Sequence, residues 1–407
     1  MKIAVITNRF PALSQTFVIN QVTGLIDRGH DVTVFARGEE PAEVMHADVE
    51  RYGLRERTRH FPRGLRGWPP VLLDAANMLR RRPVLTVRTA LRSLRPSLAG
   101  PEFFTLAPLA RAMRTLPADD FDAVVSFFGP NGVTAEELRA IGALSGRTFT
   151  IFLGYDLSSR IQKQGPDVYR RLWADGDVML PICEYFRDKI IDLGCDPGKI
   201  RIHHLGIDTG DFAFQPRTLS EGEPVRVLSV ARMVDKKGLQ YGLRAVEFVL
   251  REHPNLEYHI VGDGPLRGEL EQLIEDLGIR AHVILHGWKS QEELRELQKT
   301  VHLLMAPSVT AENGDEEGTP VVLMEALAAG LPVLSTQHSG IPEVVEHGVS
   351  GYLVPERDVE ALAVALRRLV REPQRWPEMG EKGRARMEAE FNISTQNDRL
   401  AELLAGG

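Results

Sequence analysis

The chain has 407 residues, 43% of them apolar and 26% charged, with a formal net charge of −7. That length exceeds one ordinary core and makes two domains the natural expectation. The two cysteines, Cys183 and Cys195, exclude a disulfide framework and lack metal spacing, no apolar run approaches a membrane span of about 20 residues, and Met1 leads into a strand rather than a signal peptide, so a cytoplasmic protein is expected.

Residues 2–7 read as a short apolar strand, 8–15 as a loop, 16–28 as a helix closed by Gly29, and 31–36 as a second strand. Strand, helix and strand in so short a span predict a parallel α/β sheet. Residues 51–114 read as helical and irregular. Strands are predicted over 123–127, 149–153 and 178–182, helices over 134–141 and 184–193, and a further extended run over 200–203. Gly210, Pro216, Gly222 and Pro224 mark a linker over 209–224. A second series follows: strands over 225–230, 257–261, 283–286 and 302–306, with helices over 238–251, 266–277 and 291–299. A helix over 321–329, a strand over 332–336, a loop and helix over 338–347, and helices over 359–371 and 383–391 complete the chain. The pattern predicts two Rossmann-like halves, 1–208 and 225–375, with 376–407 as closing helices and a ligand at the strand carboxyl ends.

Charge is unevenly distributed. Residues 51–114 contain 14 arginines and three acidic residues, a net +11, which leaves −18 for the remainder. A solvated surface is the ordinary meaning of scattered charge. Here Trp68, Val71, Leu72, Leu73, Met78, Leu79, Leu94, Phe103 and Phe104 interleave with the arginines, a mixture suited to docking on anionic lipid. Nucleic acid is not expected, because no recognition motif accompanies the charge.

The chemistry concentrates in residues 304–347. Thr319 as N-cap and Pro320 at the first helical position open the 321–329 helix, and Gly330 stops it. Glu317 precedes the cap by two residues, while Glu325 lies about 7 Å along the helix from Pro320. Between the carboxylates lie the free N–H groups of a helix start, an anion site. A ligand with hydroxyls at both ends and phosphate between, such as a nucleotide sugar, suits that order. Arg232 and Lys237 flank a strand-to-helix loop, where two cations can neutralise a diphosphate; Lys236 reads as their solvated neighbour. Gly262 and Gly264 form a GxG in which Arg267 replaces the third glycine, so a tight turn beside the ligand is expected. Gly287-Trp288 at another strand end suits either a base or core packing. Near Ser14, Gln15 and Thr16, helix-start amides are an anion candidate on the acceptor or sugar side, although simple capping explains these residues equally well.

EGTPVVLME, with Glu317 and Glu325 in E-x7-E spacing, resembles the signature of the retaining nucleotide-sugar glycosyltransferases of family 4. VARMVDKKG, VGDGP and HSGIPEVVEHGVSGYLVP stand in that family's order. FPALSQTFVINQV, GPNGVTAEELRAIG, LPICEYFRDKIIDLGCDPGKI, HHLGID and PSVTAENGDEEGTPV are similar to the colanic acid and amylovoran branch. The resemblance implies a GT-B fold, in which two Rossmann-like domains face each other and the last helix crosses back. It implies that Arg232 and Lys237 bind the donor diphosphate, Glu317 the sugar hydroxyls and Glu325 the ribose, with Gly318, Thr319, Pro320 and Val321 at the phosphate end. It implies no metal or cofactor beyond the nucleotide sugar, and a saccharide or lipid-linked acceptor at the inner membrane face.

The chain departs from that pattern at two positions. Relatives usually carry histidine where Phe127 and Leu153 stand, at strand ends expected to face the ligand. The exchange motivates a competing reading, a degenerate GT-B protein that binds without turnover. Asp156 remains, either to orient the sugar or to cap a local turn. A nucleotide-sugar epimerase is a third reading.

Overall fold

The computed structural model describes residues 1–12, 15–39, 47–62, 68–99, 107–115 and 120–406. They form two compact units, one of Met1–Ile182, Arg187–His203 and Asn397–Gly407, the other of Cys183–Phe186 and His204–Gln396.

In the first unit, β1 (Lys2–Thr7), β2 (Asp31–Ala36), β3 (Thr58–His60), β4 (Ala123–Phe127), β5 (Arg147–Phe152) and β6 (Val178–Pro181) form a parallel sheet of order β3-β2-β1-β4-β5-β6. β4, Ala-Val-Val-Ser-Phe, is buried throughout, as expected of a strand covered on both faces. In the second unit, β7 (Val225–Val230), β8 (Leu256–Val261), β9 (Val283–Gly287), β10 (Leu303–Ala306), β11 (Val333–Thr336) and β12 (Gly351–Val354) repeat that order as β12-β11-β10-β7-β8-β9, again parallel. Leu243 and Val246 of helix Leu239–Leu250 and Leu366 of helix Val359–Arg371 bury against Val227, Tyr258 and Ile260. The strand order reverses between β1 and β4 and between β7 and β10, the position where open α/β sheets hold ligands.

Several elements differ from the sequence reading. β3 and β12 were not expected, because Thr58-Arg59-His60 has no apolar run and β12 has only four residues. The stretch 200–203 forms no strand and pairs through a single bridge, Met179 to Ile200. The helix expected from 134 starts at Gly129. Pro130 suits its first turn, and Gly132 lets the backbone approach β5: a Cβ there would lie 2.4 Å from Thr150 Oγ1. Cys183 and Cys195 are buried free thiols, and burial pushes their pKa values up to about 12 and about 11.

The basic segment contributes helices Trp68–Arg81, Pro83–Ser93, Pro96–Ala99 and Ala107–Thr115. Val71 and Met78 turn inward to the core, whereas Leu72, Leu73, Leu79 and Leu94 are exposed. Arg114 pairs with Asp74. Phe103, Phe104, Arg63 and Arg66 lie outside the described residues. Among the described residues, no helix is long and apolar enough to cross a membrane.

Candidate active site

In the second unit, the loops after β7 and β10 meet where the strand order reverses. After β7, a single 3₁₀ turn, Asp235–Lys237, ends at Gly238 with φ +62°. A side chain there is impossible, because its Cβ would lie 1.9 Å from the Pro307 carbonyl oxygen. That close approach brings the two lysines of the turn against the acidic loop that follows β10. The Val309 N–H donates to the Lys236 carbonyl at 2.9 Å, tying the loops together.

Glu317 is the centre of the charge cluster. Lys237 Nζ stands 3.0 Å from Oε2, and Lys236 Nζ stands 3.3 Å from Oε1 and 3.1 Å from Asp315 Oδ2. Burial by itself pushes the Glu317 carboxyl up, but the attraction of Lys237 and Lys236 outweighs it and leaves the group below the usual range. Burial likewise lowers Lys236, yet Glu317 and Asp315 hold it above the ordinary lysine value. Lys236 is therefore not the solvated neighbour expected from sequence. It is half-buried and bridges two carboxylates. Arg232, on the same loop, is exposed, and its guanidinium has no partner among the described residues.

The helix that follows begins one residue later than expected. Pro320 (φ −63°, ψ 118°) is the N-cap, Val321 is the first helical residue, and the helix runs Val321–Ala328. The Thr319 side chain caps nothing: it is buried, and its Oγ1 has no hydrogen-bond partner. The Leu323 N–H donates to the Pro320 carbonyl at 3.1 Å, and a proline cap offers no side-chain acceptor to the Val321 and Val322 amides, which preserves an anion site at the helix start. Pro320 and Lys237 line one small cavity with Ser229, Ala306, Pro307 and Ser308. Glu325 lies in the second turn, where burial raises its carboxyl against a weaker lowering by Arg295. At the other end, the buried Arg217 donates to the Ala329 carbonyl and Arg384 to that of Ala328, satisfying the exposed pole of the helix.

Gly318 accepts a hydrogen bond from the Gly340 N–H at 3.3 Å through its carbonyl. Gly262 and Gly264 pack their backbone on the Arg232 loop; a Cβ on Gly262 would lie 2.0 Å from the Ala231 carbonyl oxygen. Gly287 has φ +67° and accepts from the Gly262 N–H at 2.8 Å. Trp288 is 72% exposed, which removes the core-packing alternative and leaves an open indole beside the turn.

Sequence reasoning missed His338 and Glu356. The Glu317 N–H donates to His338 Nε2 at 3.0 Å, and His338 Nδ1 lies 2.6 Å from Glu356 Oε1. The Thr310 N–H donates to Glu356 Oε2 at 2.8 Å. The available signal was a histidine two residues past a buried strand, in HSGIPE.

The first-unit candidates behave differently. Phe127 is 1% exposed and packs on the Phe17 ring at 6.1 Å, so it is core rather than a strand end presented to ligand. Leu153 is half-buried, and its N–H donates to Asp156. Asp156 is fully buried and accepts from the Gly129, Leu153 and Gly154 N–H groups at 3.0, 3.1 and 2.9 Å. Burial raises its carboxyl, against those hydrogen bonds. This geometry is that of a local cap. Gln15, not Thr16, occupies the cap of helix Thr16–Asp27 and makes no side-chain cap bond; Ser14 lies outside the described residues.

Two parallel Rossmann-like units of matching strand order, with a cationic loop and a helix start at the second reversal point, place the chain in the GT-B class of folds. Residues 211–386 match the family described as glycosyl transferases group 1, and residues 14–206 match the glycosyl transferase 4-like domain. The chain is 35% identical over 407 residues to WcaL of Salmonella typhimurium, named for colanic acid biosynthesis, covering 99% of both proteins. It is 36% identical over 409 residues to the amylovoran biosynthesis glycosyltransferase AmsK of Erwinia amylovora, again covering 99% of both. Anabaena HepE, solved in complex with UDP and glucose, superposes with a TM-score of 0.70 at 16% identity over 100% of each chain. The chain belongs to the group 1, family 4-like glycosyltransferases and is related over its full length to exopolysaccharide biosynthesis enzymes.

Proposed function

We propose that this glycosyltransferase transfers a hexose, with retention of configuration, from a nucleoside diphosphate sugar to a saccharide or lipid-linked saccharide in surface polysaccharide synthesis. The observation that carries this reading is the ionised Glu317 held by Lys236 and Lys237 beside an open helix start. Arg232 and Lys237 take the diphosphate, supplying positive charge where it accumulates on the leaving group. Lys237 has three N–H donors, so it can donate to a phosphate oxygen while keeping one bond to Glu317. Glu317 and the amides of Gly318 and Val321 hold the sugar and phosphate, Glu325 the ribose, and Trp288 a base face. The bond from the anomeric carbon to the diphosphate breaks and the acceptor oxygen bonds to the same face. The acceptor proton passes to the departing phosphate oxygen, so neither a carboxylate base nor a metal ion enters the scheme.

Calorimetry with UDP, GDP and their sugars is the test. Arg232→Ala and Lys237→Ala are expected to weaken nucleotide binding on the order of tenfold or more each, as lost charge-assisted hydrogen bonds require. Unchanged affinity in both would remove the assignment.

The enzyme acts at the cytoplasmic face as a peripheral protein on this reading. Val84, Val87 and Leu91 are exposed along helix Pro83–Ser93, beside Arg88 and Arg95. Apolar side chains among arginines suit anionic lipid. Binding to anionic vesicles that weakens with salt is expected, whereas equal binding to neutral vesicles would count against it.

A further inference from the structure

The Glu317 loop is held at both ends, and only one hold is charged. Its carboxylate faces the lysines. Its backbone N–H points at the buried His338, the middle of a part-buried relay that joins the ends of three neighbouring strands. His338 follows β11, Glu356 follows β12 and Thr310 follows β10.

The direction of each bond fixes the histidine tautomer. An amide N–H can only donate, so His338 Nε2 must offer a lone pair to Glu317. The proton of the neutral ring then lies on Nδ1 and is donated to Glu356 Oε1. Glu356 is anchored in turn through Oε2 by the Thr310 N–H. His338 is 1% exposed, so water cannot replace it. No atom of this relay is needed to explain the lysine pairing, and among the described residues its polar link to the charge cluster is the Glu317 amide.

We propose that His338 is a positioning residue for sugar transfer. Oriented by Glu356, it fixes the backbone of Glu317 so that the carboxylate, paired with Lys236 and Lys237, keeps the place from which it meets the donor sugar. The inference rests on the donor-site reading above. Because the relay acts at Glu317 and not at the phosphate end, it sets sugar handling while leaving nucleotide affinity almost untouched.

Two substitutions separate this role from general support of the fold. His338→Gln places an oxygen acceptor near the Nε2 position, while His338→Asn retains a group near Nδ1 for Glu356 and leaves the Glu317 N–H unpaired. Both are compared with the wild type and with Glu317→Gln, using UDP for affinity and, for donor hydrolysis, the most rapidly hydrolysed of a panel of UDP and GDP sugars. His338→Asn is expected to lower the hydrolysis rate about tenfold or more, the scale of one lost buried hydrogen bond. His338→Gln stays within about threefold, and UDP affinity within about twofold in both. Amide exchange over residues 311–319 should quicken in His338→Asn and not in His338→Gln, a reading that needs no substrate. Equal behaviour of the two variants in rate and exchange, or a loss of UDP affinity parallel to the loss of rate, would overturn the proposal. If Glu317→Gln keeps full activity, the donor-site reading itself fails; if Glu317→Gln is impaired and His338→Asn is not, only the positioning role fails.

Discussion

After β4 and β5 of the first sheet, a buried carboxylate and the neighbouring backbone amides satisfy one another. Three backbone N–H groups converge on Asp156, and Phe127 closes the strand end with an aromatic contact. After β7 and β10 of the second sheet, the groups are only partly satisfied. Arg232 is open, Thr319 Oγ1 lacks a partner, and a proline cap leaves helix amides available. The two sheets share one strand order, so the difference does not come from topology. It comes from which residues occupy the loops, as expected where function is grafted onto a common scaffold.

The largest expected effect that separates the regions comes from Phe127→His. Were position 127 part of a sugar site, histidine there would restore a hydrogen-bonding group and raise transfer. Because Phe127 is core, the substitution is expected to destabilise the protein by about 3 kcal/mol, through lost packing and a buried imidazole. Thermal denaturation with a parallel transfer assay checks this; a stable variant with faster transfer would erase the contrast between the regions.

A smaller effect of opposite sign is expected in the second unit. Burial raises the Glu325 carboxyl, so the folded state holds its proton more tightly than the unfolded chain does. Stability from that group is complete below the ordinary glutamate range and declines as pH rises through its folded value. Glu325→Gln is therefore expected to raise Tm by a few degrees at neutral pH, with the gain vanishing in acid, and to weaken nucleotide binding. Glu317 runs the other way: its contribution is present above the ordinary glutamate range and is lost as pH falls through its lowered value. A Glu325→Gln variant less stable than wild type at neutral pH would contradict the sign.

Much of this was legible in the sequence. Buried parallel strands announce themselves as short apolar runs punctuated by glycine and proline, which is why β1, β4, β7 and β10 fall within a residue or two of expectation. Thr319-Pro320 marked the right helix, although the cap falls on Pro320. What escaped depends on contacts between loops. Lys236 looks like an ordinary surface lysine until Gly238 presses its turn against Pro307. His338 gains its meaning only because β10, β11 and β12 are neighbours. Phe127 stands at the carboxyl end of β4 as expected, but a strand buried on both faces is apolar throughout, and its pattern does not show that this last ring packs inward on Phe17. β3, a short polar edge strand, carries almost no pattern.

The central claim is that nucleotide is held by the loops after β7 and β10. Amide hydrogen exchange on the full chain, with and without saturating UDP, tests it most directly. Slowed exchange over residues 229–240 and 315–323 is the expected result. Unchanged exchange in both segments at saturating UDP would contradict it.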